Sequence, residues 1–385
     1  MLVSSARDQG DCAIYHNVRR TVVRAMPDFI GMTMFITGLG TATPANSYTQ
    51  AQCWEELQAA PPFAALDRRA RVILQRVLLH DNGIVSRSLA LDSLMDVFAS
   101  DPDSLHRRFA LHAPRLAHQA ASRALKNAGM QPEDMDAVII STCTGYLCPG
   151  LTSYVGESLG LRADILALDL VGQGCGAALP NLRAAQALLL ADGCKHVLSI
   201  CVEVCSAAFY LDNDPGVLIS TCLFGDGAGA AVLARQPATV GRTVEWKGAG
   251  SLHNPGERDA LRFDYQDGKL RNILTLRVPK LAARHAALVL DNVLGDMGRS
   301  RGEIAAWILH AGGRKVIEAL QEELELTAED VRWSSDVLSQ YGNMSSPSVY
   351  FTLQAALDDE AAGGTWWMSS FGAGFSCHGA LLEVA

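Results

Sequence analysis

The 385-residue sequence has no uninterrupted apolar run of about 18 residues, so no transmembrane helix is expected. It has no long basic run, and its net charge is −9, which argues against nucleic acid as a main partner. It has no Cys-x-x-Cys pair. Its 10 cysteines follow no regular spacing, and Cys143 and Cys148 have no histidine close by, so neither a zinc site nor a disulfide scaffold is expected. Free thiols of this number fit a reducing cytoplasm. Residues 1–31 lack the apolar core of a signal peptide and read as a flexible extension. What the chain does have is 49% hydrophobic residues against 19% charged, the balance of a compact chain with a large buried core.

Glycine is plentiful, and it clusters around chemistry. Ile165-Leu-Ala-Leu-Asp-Leu-Val171 reads as a buried strand. Glycines at 172, 174 and 176 then enclose Cys175, and Asn181–Ala191 reads as a helix with Pro180 in its first turn. Cys175 therefore sits on a tight strand-to-helix turn. Glycine permits the backbone angles such a turn requires and leaves room beside the sulfur. Helical N–H groups nearby would favour a thiolate. A small buried cysteine in a turn is the plain alternative.

Two further strings share this character. The strand Ala305–Leu309 ends in His310-Ala-Gly-Gly-Arg-Lys315, which can present an imidazole to a pocket. Tyr341-Gly-Asn-Met-Ser-Ser-Pro347 puts Asn343 in a turn. A cysteine, a histidine and an asparagine in such settings make a nucleophile, a base and a polariser.

The chain also repeats its own grammar. Leu125–Ser141 and Leu294–His310 both read helix, glycine, acidic turn, buried strand. Phe224–Leu233 and Phe371–Leu382 both close with a glycine turn and a small-residue strand. Two α/β halves of common design follow, 32–237 with the cysteine and 238–385 with the histidine and asparagine. Their border falls near Gln236–Arg242, and the site belongs at their junction.

The order Gly-Cys-Gly, Leu-Phe-Gly-Asp-Gly, His-Ala-Gly-Gly, Gly-Asn-Met-Ser-Ser and a closing Phe-Gly-Ala-Gly resembles the type III polyketide synthases of the chalcone synthase superfamily, from about Met34 to the C-terminus. The resemblance implies an α/β thiolase-like fold, with two duplicated halves in a five-layered αβαβα core, and a homodimer. It implies a catalytic triad of Cys175, His310 and Asn343, with Cys175 a thiolate beside protonated His310. Cys175 would take an acyl starter from coenzyme A, and malonyl-CoA would lose carbon dioxide with its enolate held by His310 and Asn343. Acyl carrier protein is a possible donor. No metal or redox cofactor is implied, only coenzyme A thioesters as substrates.

The same resemblance puts Phe224 at a gatekeeper position and Leu276 at a second one, where plant members carry phenylalanine. It puts Cys143 and Ala208 where plant cavities have threonine, and Cys148 where a methionine crosses the dimer interface. Ser345, Gly372 and Ala373 complete the substrate surroundings, with Ala373 replacing the proline of the plant Gly-Phe-Gly-Pro-Gly. Smaller wall residues would widen the pocket, so a long fatty acyl starter giving an alkylresorcinol or alkylpyrone is expected. Lys315, Arg68, Arg69 and Arg76 are candidates for the coenzyme A phosphates on charge alone. Other possibilities are an aromatic or malonyl starter, a single-condensation ketoacyl synthase, and a non-catalytic relative. A ketoacyl synthase would carry His-Gln-Ala-Asn where this chain has His-Ala-Gly-Gly.

Overall fold

The computed structural model describes residues 33–80, 82–191 and 193–385. The expected extension over 1–31 lies outside them. The strands are β1 (Met34–Ala42), β2 (Ser47–Thr49), β3 (Ser86–Ser88), β4 (Ala137–Ser141), β5 (Leu166–Leu170), β6 (His196–Glu203), β7 (Gly227–Ala234), β8 (Val244–His253), β9 (Leu261–Gln266), β10 (Lys269–Leu274), β11 (Ile304–Leu309), β12 (Gly364–Gly372) and β13 (Ser376–Val384). The helices are α1 (Gln50–Ala59), α2 (Pro61–Ala64), α3 (Arg68–Leu79), α4 (Pro102–Ala128), α5 (Leu151–Leu159), α6 (Ala178–Leu190), α7 (Pro215–Leu223), α8 (Val278–Asp296), α9 (Arg314–Leu324), α10 (Arg332–Tyr341) and α11 (Ser348–Asp358).

Nine strands form one mixed sheet in the order β11-β12-β13-β8-β1-β7-β6-β4-β5. The strands of the first half lie on one side and those of the second half on the other. A short antiparallel contact, Met34–Ile36 with Val244–Trp246, joins them. Three apolar clusters turn this sheet into five layers. Outside the first half, Ala117, Ala120, Ala121 and Ala124 of α4 pack on β4, β6 and β7. Between the halves, Leu179, Leu182 and Ala185 of α6 and Val349, Tyr350 and Leu353 of α11 meet residues from both sets of strands. Outside the second half, α8 and α9 cover Trp307, Trp367 and Leu381. The result is the thiolase-like αβαβα fold.

Close approach explains why the outer layer is so rich in small residues. A Cβ at Gly38 of β1 would lie 2.2 Å from the carbonyl oxygen of Ala124, and one at Gly40 would lie 2.3 Å from that of Ala120. Helix α4 thus rests its backbone on the Gly-Leu-Gly of β1, and any side chain there would push it away. Asp101 caps α4 by accepting from the Ser104 N–H, and Gly129 ends it at φ 67°. The helix therefore runs eleven residues upstream of the Ala113 start that the sequence suggests, and it carries Pro114 inside.

One strand departs from expectation in its surroundings. Ile165–Val171 reads as buried, yet β5 is the sheet edge, with Leu166 47% and Val171 61% exposed. Ile165, Leu168 and Leu170 are partly covered by the helix layers, whereas Leu166 and Val171 face outward. Among the described residues, no helix is long and apolar enough to cross a membrane.

Candidate active site

Three loops meet where the two halves join. The first is the elbow after β5. Gly172 (φ 85°) and Gly174 (φ 55°) take left-handed angles, and the Ala177 N–H donates to the Gly174 carbonyl at 3.1 Å as the chain enters α6. Cys175 stands at its tip. A Cβ on Gly372 of β12 would lie 2.4 Å from the Gly176 nitrogen and 3.1 Å from that of Cys175. Gly372 thus lets the closing Phe-Gly-Ala-Gly turn press against the back of the elbow. It shapes the nucleophile's support and does not line the substrate cavity, a correction to its expected place.

The second loop follows β11. The His310 N–H donates to the Ser369 carbonyl at 3.0 Å, and the ring packs edge-on to Phe371 at 5.0 Å. His310 is 1% exposed, and its Nδ1 has no hydrogen-bond partner among the described residues. Gly312 packs against the imidazole, and a Cβ there would lie 3.3 Å from Nε2. The third loop carries Asn343. Its Nδ2 donates to the Gly312 carbonyl at 3.0 Å, and its Oδ1 accepts from the Ser345 N–H at 2.8 Å. Its backbone N–H donates to Leu223 and its carbonyl accepts from Gly225, pinning it beside Phe224.

Ser345 closes the circuit. It holds φ 60°, a left-handed angle uncommon for serine, fixed by the Asn343 side chain. Its hydroxyl lies 3.2 Å from Cys175 Sγ, 3.6 Å from Cys143 Sγ and 3.5 Å from Glu203 Oε1. One O–H therefore has three acceptors to choose among. Gly312 links His310 to Asn343, and Ser345 links Asn343 to Cys175.

Glu203 is the residue that sequence reasoning missed. It is fully buried at the end of β6 and collects hydrogen bonds from Thr142 Oγ1 (3.2 Å), the Cys143 N–H (3.0 Å), Thr144 Oγ1 (2.9 Å) and Ser346 Oγ (2.7 Å). The Cys143 thiol also points at it, at 3.3 Å. Burial pushes its carboxyl up from the ordinary value despite these donors. The available signal was a lone acid closing an apolar run, since a carboxylate in such a strand needs a specific reason.

Burial dominates the electrostatics of the pair. It pushes the Cys175 thiol up to about 12, and the Ser345 hydrogen bond only partly opposes it. It pushes the His310 imidazole down to about 3. Both shifts favour the uncharged pair. Desolvation thus acts against the expected thiolate–imidazolium pair, while the Ser345 hydroxyl, which donates to Cys175 Sγ at 3.2 Å, acts for the thiolate.

The cavity before the sulfur, together with the open solvent at its mouth, spans about 610 Å³. Cys143, Thr144, Ser345 and Cys175 form its polar end. Ala208, Phe209, Val217, Phe224, Leu261, Phe263, Leu270 and Ala373 make an apolar wall, interrupted by Ser220, Asn272 and Arg262. Phe224, Cys143, Ala208 and Ala373 thus stand where expected. Leu276 does not: it is 90% exposed. Strand β10 ends at Leu274, and the Thr275 N–H turns back to the Ala260 carbonyl at 3.1 Å, so the next residue swings to solvent. Phe263 of β9 and Leu270 of β10 supply that wall instead. Cys148 is exposed and lies outside its own chain's cavity. Lys315 is exposed in the first turn of α9, five residues beyond His310. Arg68, Arg69 and Arg76 are exposed on α3, whose buried face, Ala70, Leu74 and Leu78, points inward. Among the described residues, none of these four cations lines the cavity.

Residues 66–245 match the family described as FAE1/type III polyketide synthase-like protein, and residues 255–383 match the chalcone and stilbene synthase C-terminal domain. The chain is 32% identical over 333 residues to a 3,5-dihydroxyphenylacetyl-CoA synthase of Streptomyces toyocaensis, covering 84% of this chain and 83% of that protein. It is 28% identical over 362 residues to the alpha-pyrone synthesis polyketide synthase-like Pks18 of Mycobacterium tuberculosis, covering 91% of each. Among solved structures it is similar to PKS-I from the brown alga Ectocarpus siliculosus, with a TM-score of 0.84 and 27% identity, covering 93% of this chain and 100% of that one.

Proposed function

The chain belongs to the type III polyketide synthases, acyltransferases that carry out Claisen condensations, and from that premise we propose that it extends a fatty acyl starter on Cys175 with malonyl units and closes the product to an alkylresorcinol or alkylpyrone. The observation that carries the starter is the apolar wall facing Cys175, in which Phe209, Phe224, Phe263, Leu261 and Leu270 offer a hydrocarbon tail a surface of its own kind.

In this reading Cys175 attacks the acyl-CoA carbonyl, and its proton passes to His310 as the carbon–sulfur bond forms. Burial disfavours a lone imidazolium, and the anion forming beside it offsets that cost. His310 returns the proton to the departing coenzyme A sulfur. Malonyl-CoA then enters and loses carbon dioxide. The enolate oxygen takes hydrogen bonds from His310 Nε2–H and from Asn343 Nδ2, which leaves the Gly312 carbonyl. The enolate carbon attacks the acyl–Cys175 thioester. Cys175 Sγ leaves as the thiolate and takes a proton from solvent, the lengthened β-ketoacyl chain remains on coenzyme A, and Cys175 is free to be loaded again. Phe224, held beside Asn343, keeps water from the carbanion. Each step uses coenzyme A thioesters and no metal or redox cofactor. Lys315, Arg68, Arg69 and Arg76 are the cations offered to the coenzyme A phosphates.

A homodimer belongs to the same proposal. Leu166 on the edge strand and Val171 just after it, like Tyr146 and Tyr154, are large exposed apolar groups. A second copy would cover them and bring Cys148 toward its partner. The nine described cysteines are unpaired thiols, which fits a cytoplasmic enzyme. A malonyl starter is the second reading, favoured by the likeness to a 3,5-dihydroxyphenylacetyl-CoA synthase.

Mass spectrometry of products from malonyl-CoA with a mixed panel of fatty and aromatic acyl-CoAs tests the starter, with Cys175→Ala as control. Long-chain resorcinols or pyrones, absent in the control, support the proposal. Products built from malonyl units alone, or from aromatic starters with chains above about eight carbons refused, sink it.

A further inference from the structure

A second cavity, about 440 Å³ with the open solvent at its mouth, lies beside the first. Leu57 of α1, Leu74 and Leu78 of α3, and Leu94, Val97 and Phe98 of the short turn after β3 give it an apolar lining. Helix α7 divides the two spaces: Val217 and Ser220 face the active-site cavity, while Thr221 and Cys222 face the other. Phe209 lines both, so its side chain is part of the partition.

This ring is held. Phe209 is 2% exposed and packs with Leu89, Leu91 and Cys205. The Arg87 guanidinium carbon lies 6.0 Å from its centroid. Arg87 is itself fixed, donating to the carbonyls of Thr221 (2.7 Å) and Phe224 (2.8 Å) and to Gln50 Oε1 (3.2 Å). A side chain so braced blocks a path and does not swing with each substrate.

We propose that Phe209 is the chain-length stop of the starter site: the tail of a fatty acyl group on Cys175 runs along the apolar wall until it meets this ring, and the chamber behind is closed to it. The proposal rests on the fatty acyl reading. It assigns the second cavity a ligand class, an aliphatic tail, that becomes accessible when the ring is removed.

Competitive loading of Cys175 by C12 and C20 acyl-CoAs, read by intact-protein mass spectrometry, tests it. Phe209→Ala is expected to raise the C20-to-C12 ratio about tenfold or more, because several methylenes gain a dry surface. Phe209→Leu, the smaller change to the core, is expected to fall between wild type and Phe209→Ala. Refilling the chamber in Phe209→Ala/Val97→Phe is expected to lower the ratio again. An unchanged ratio in folded Phe209→Ala or Phe209→Leu overturns the stop while the starter reading stands. A gain that survives refilling overturns the chamber as its cause. If wild type and variants all refuse fatty acyl groups while Cys175 still loads from malonyl-CoA, the starter reading falls and the stop with it. Loading of fatty acyl groups by Phe209→Ala alone upholds the stop and overturns the starter reading for the native enzyme.

Discussion

The two ends of the active-site cavity are built on opposite principles. At the sulfur, Cys143, Thr144, Glu203, Ser345 and Asn343 share hydrogen bonds so tightly that each fixes the next. At the far end, Phe209, Leu261, Phe263 and Leu270 contribute shape and little else. A hydrogen-bonded network tolerates almost no exchange, because removing one partner leaves another buried and unpaired. An apolar wall accepts many residues of similar volume. Chemistry is therefore held at one end and choice of substrate at the other.

The largest effect should come from breaking the polar end at the enolate. Asn343→Ala removes a donor to the developing oxygen and is expected to slow malonyl-CoA decarboxylation by about 10²- to 10³-fold, as measured by carbon dioxide release. Acylation of Cys175 should survive. Loss of both activities together would mean that Asn343 holds the elbow and not the oxyanion.

Next comes the network's hub. Glu203→Gln keeps the volume but turns one acceptor into a donor facing the Cys143 N–H and four hydroxyls. An expected loss of about 3 kcal/mol, from denaturant unfolding, follows from the groups left without acceptors. Starter preference should not move.

His285 provides the reference for a buried imidazole without chemistry. It lies on α8 against Phe375, and burial pulls it down to about 4. Its folded pKa is below the unfolded value of about 6.5, so the unfolded chain binds more protons between the two. That stability is present above pH 6.5 and is lost as pH falls toward 4. His285→Leu removes this dependence, and from pH 8 to pH 5 it should gain about 2 kcal/mol on wild type in urea unfolding. A constant difference across that range would show that the imidazole is not held neutral.

The smallest effect belongs to a residue that the resemblance placed in the wall. Leu276→Ala should leave kcat/KM for every acyl-CoA within about twofold, because a side chain in solvent contributes little. A marked change in starter preference would return Leu276 to the cavity.

Leu276 also shows where legibility ended. The polar end was readable because each of its residues sits in a short, unusual string: Gly-Cys-Gly, His-Ala-Gly-Gly, Gly-Asn-Met-Ser-Ser. Those strings carry their own backbone geometry. Phe263 and Leu270 sit in ordinary strands, and only the register Asn272 opposite Phe263 decides which face meets the substrate. Strand β10 stops at Leu274, and the turn after it sends Leu276 outward. Glu203 went unseen because its reason for burial is supplied by residues about sixty and one hundred and forty positions away. The layers were legible from repeated strand–helix order. The exposure of β5 was not, since an apolar run does not say whether its strand ends up at the sheet edge. The charge state of Cys175 and His310 depends on desolvation by the whole surrounding fold, which no local string records.

The division between the two ends is tested most directly by asking Asn343→Ala to choose. Wild type and Asn343→Ala would be offered the same mixture of C12, C20 and aromatic acyl-CoAs, and the acyl groups on Cys175 weighed by intact-protein mass spectrometry. The account predicts the same fatty acyl preference in both, although the variant makes almost no product. A preference that shifts or vanishes with the chemistry would contradict it, because selection would then reside in the polar network as well.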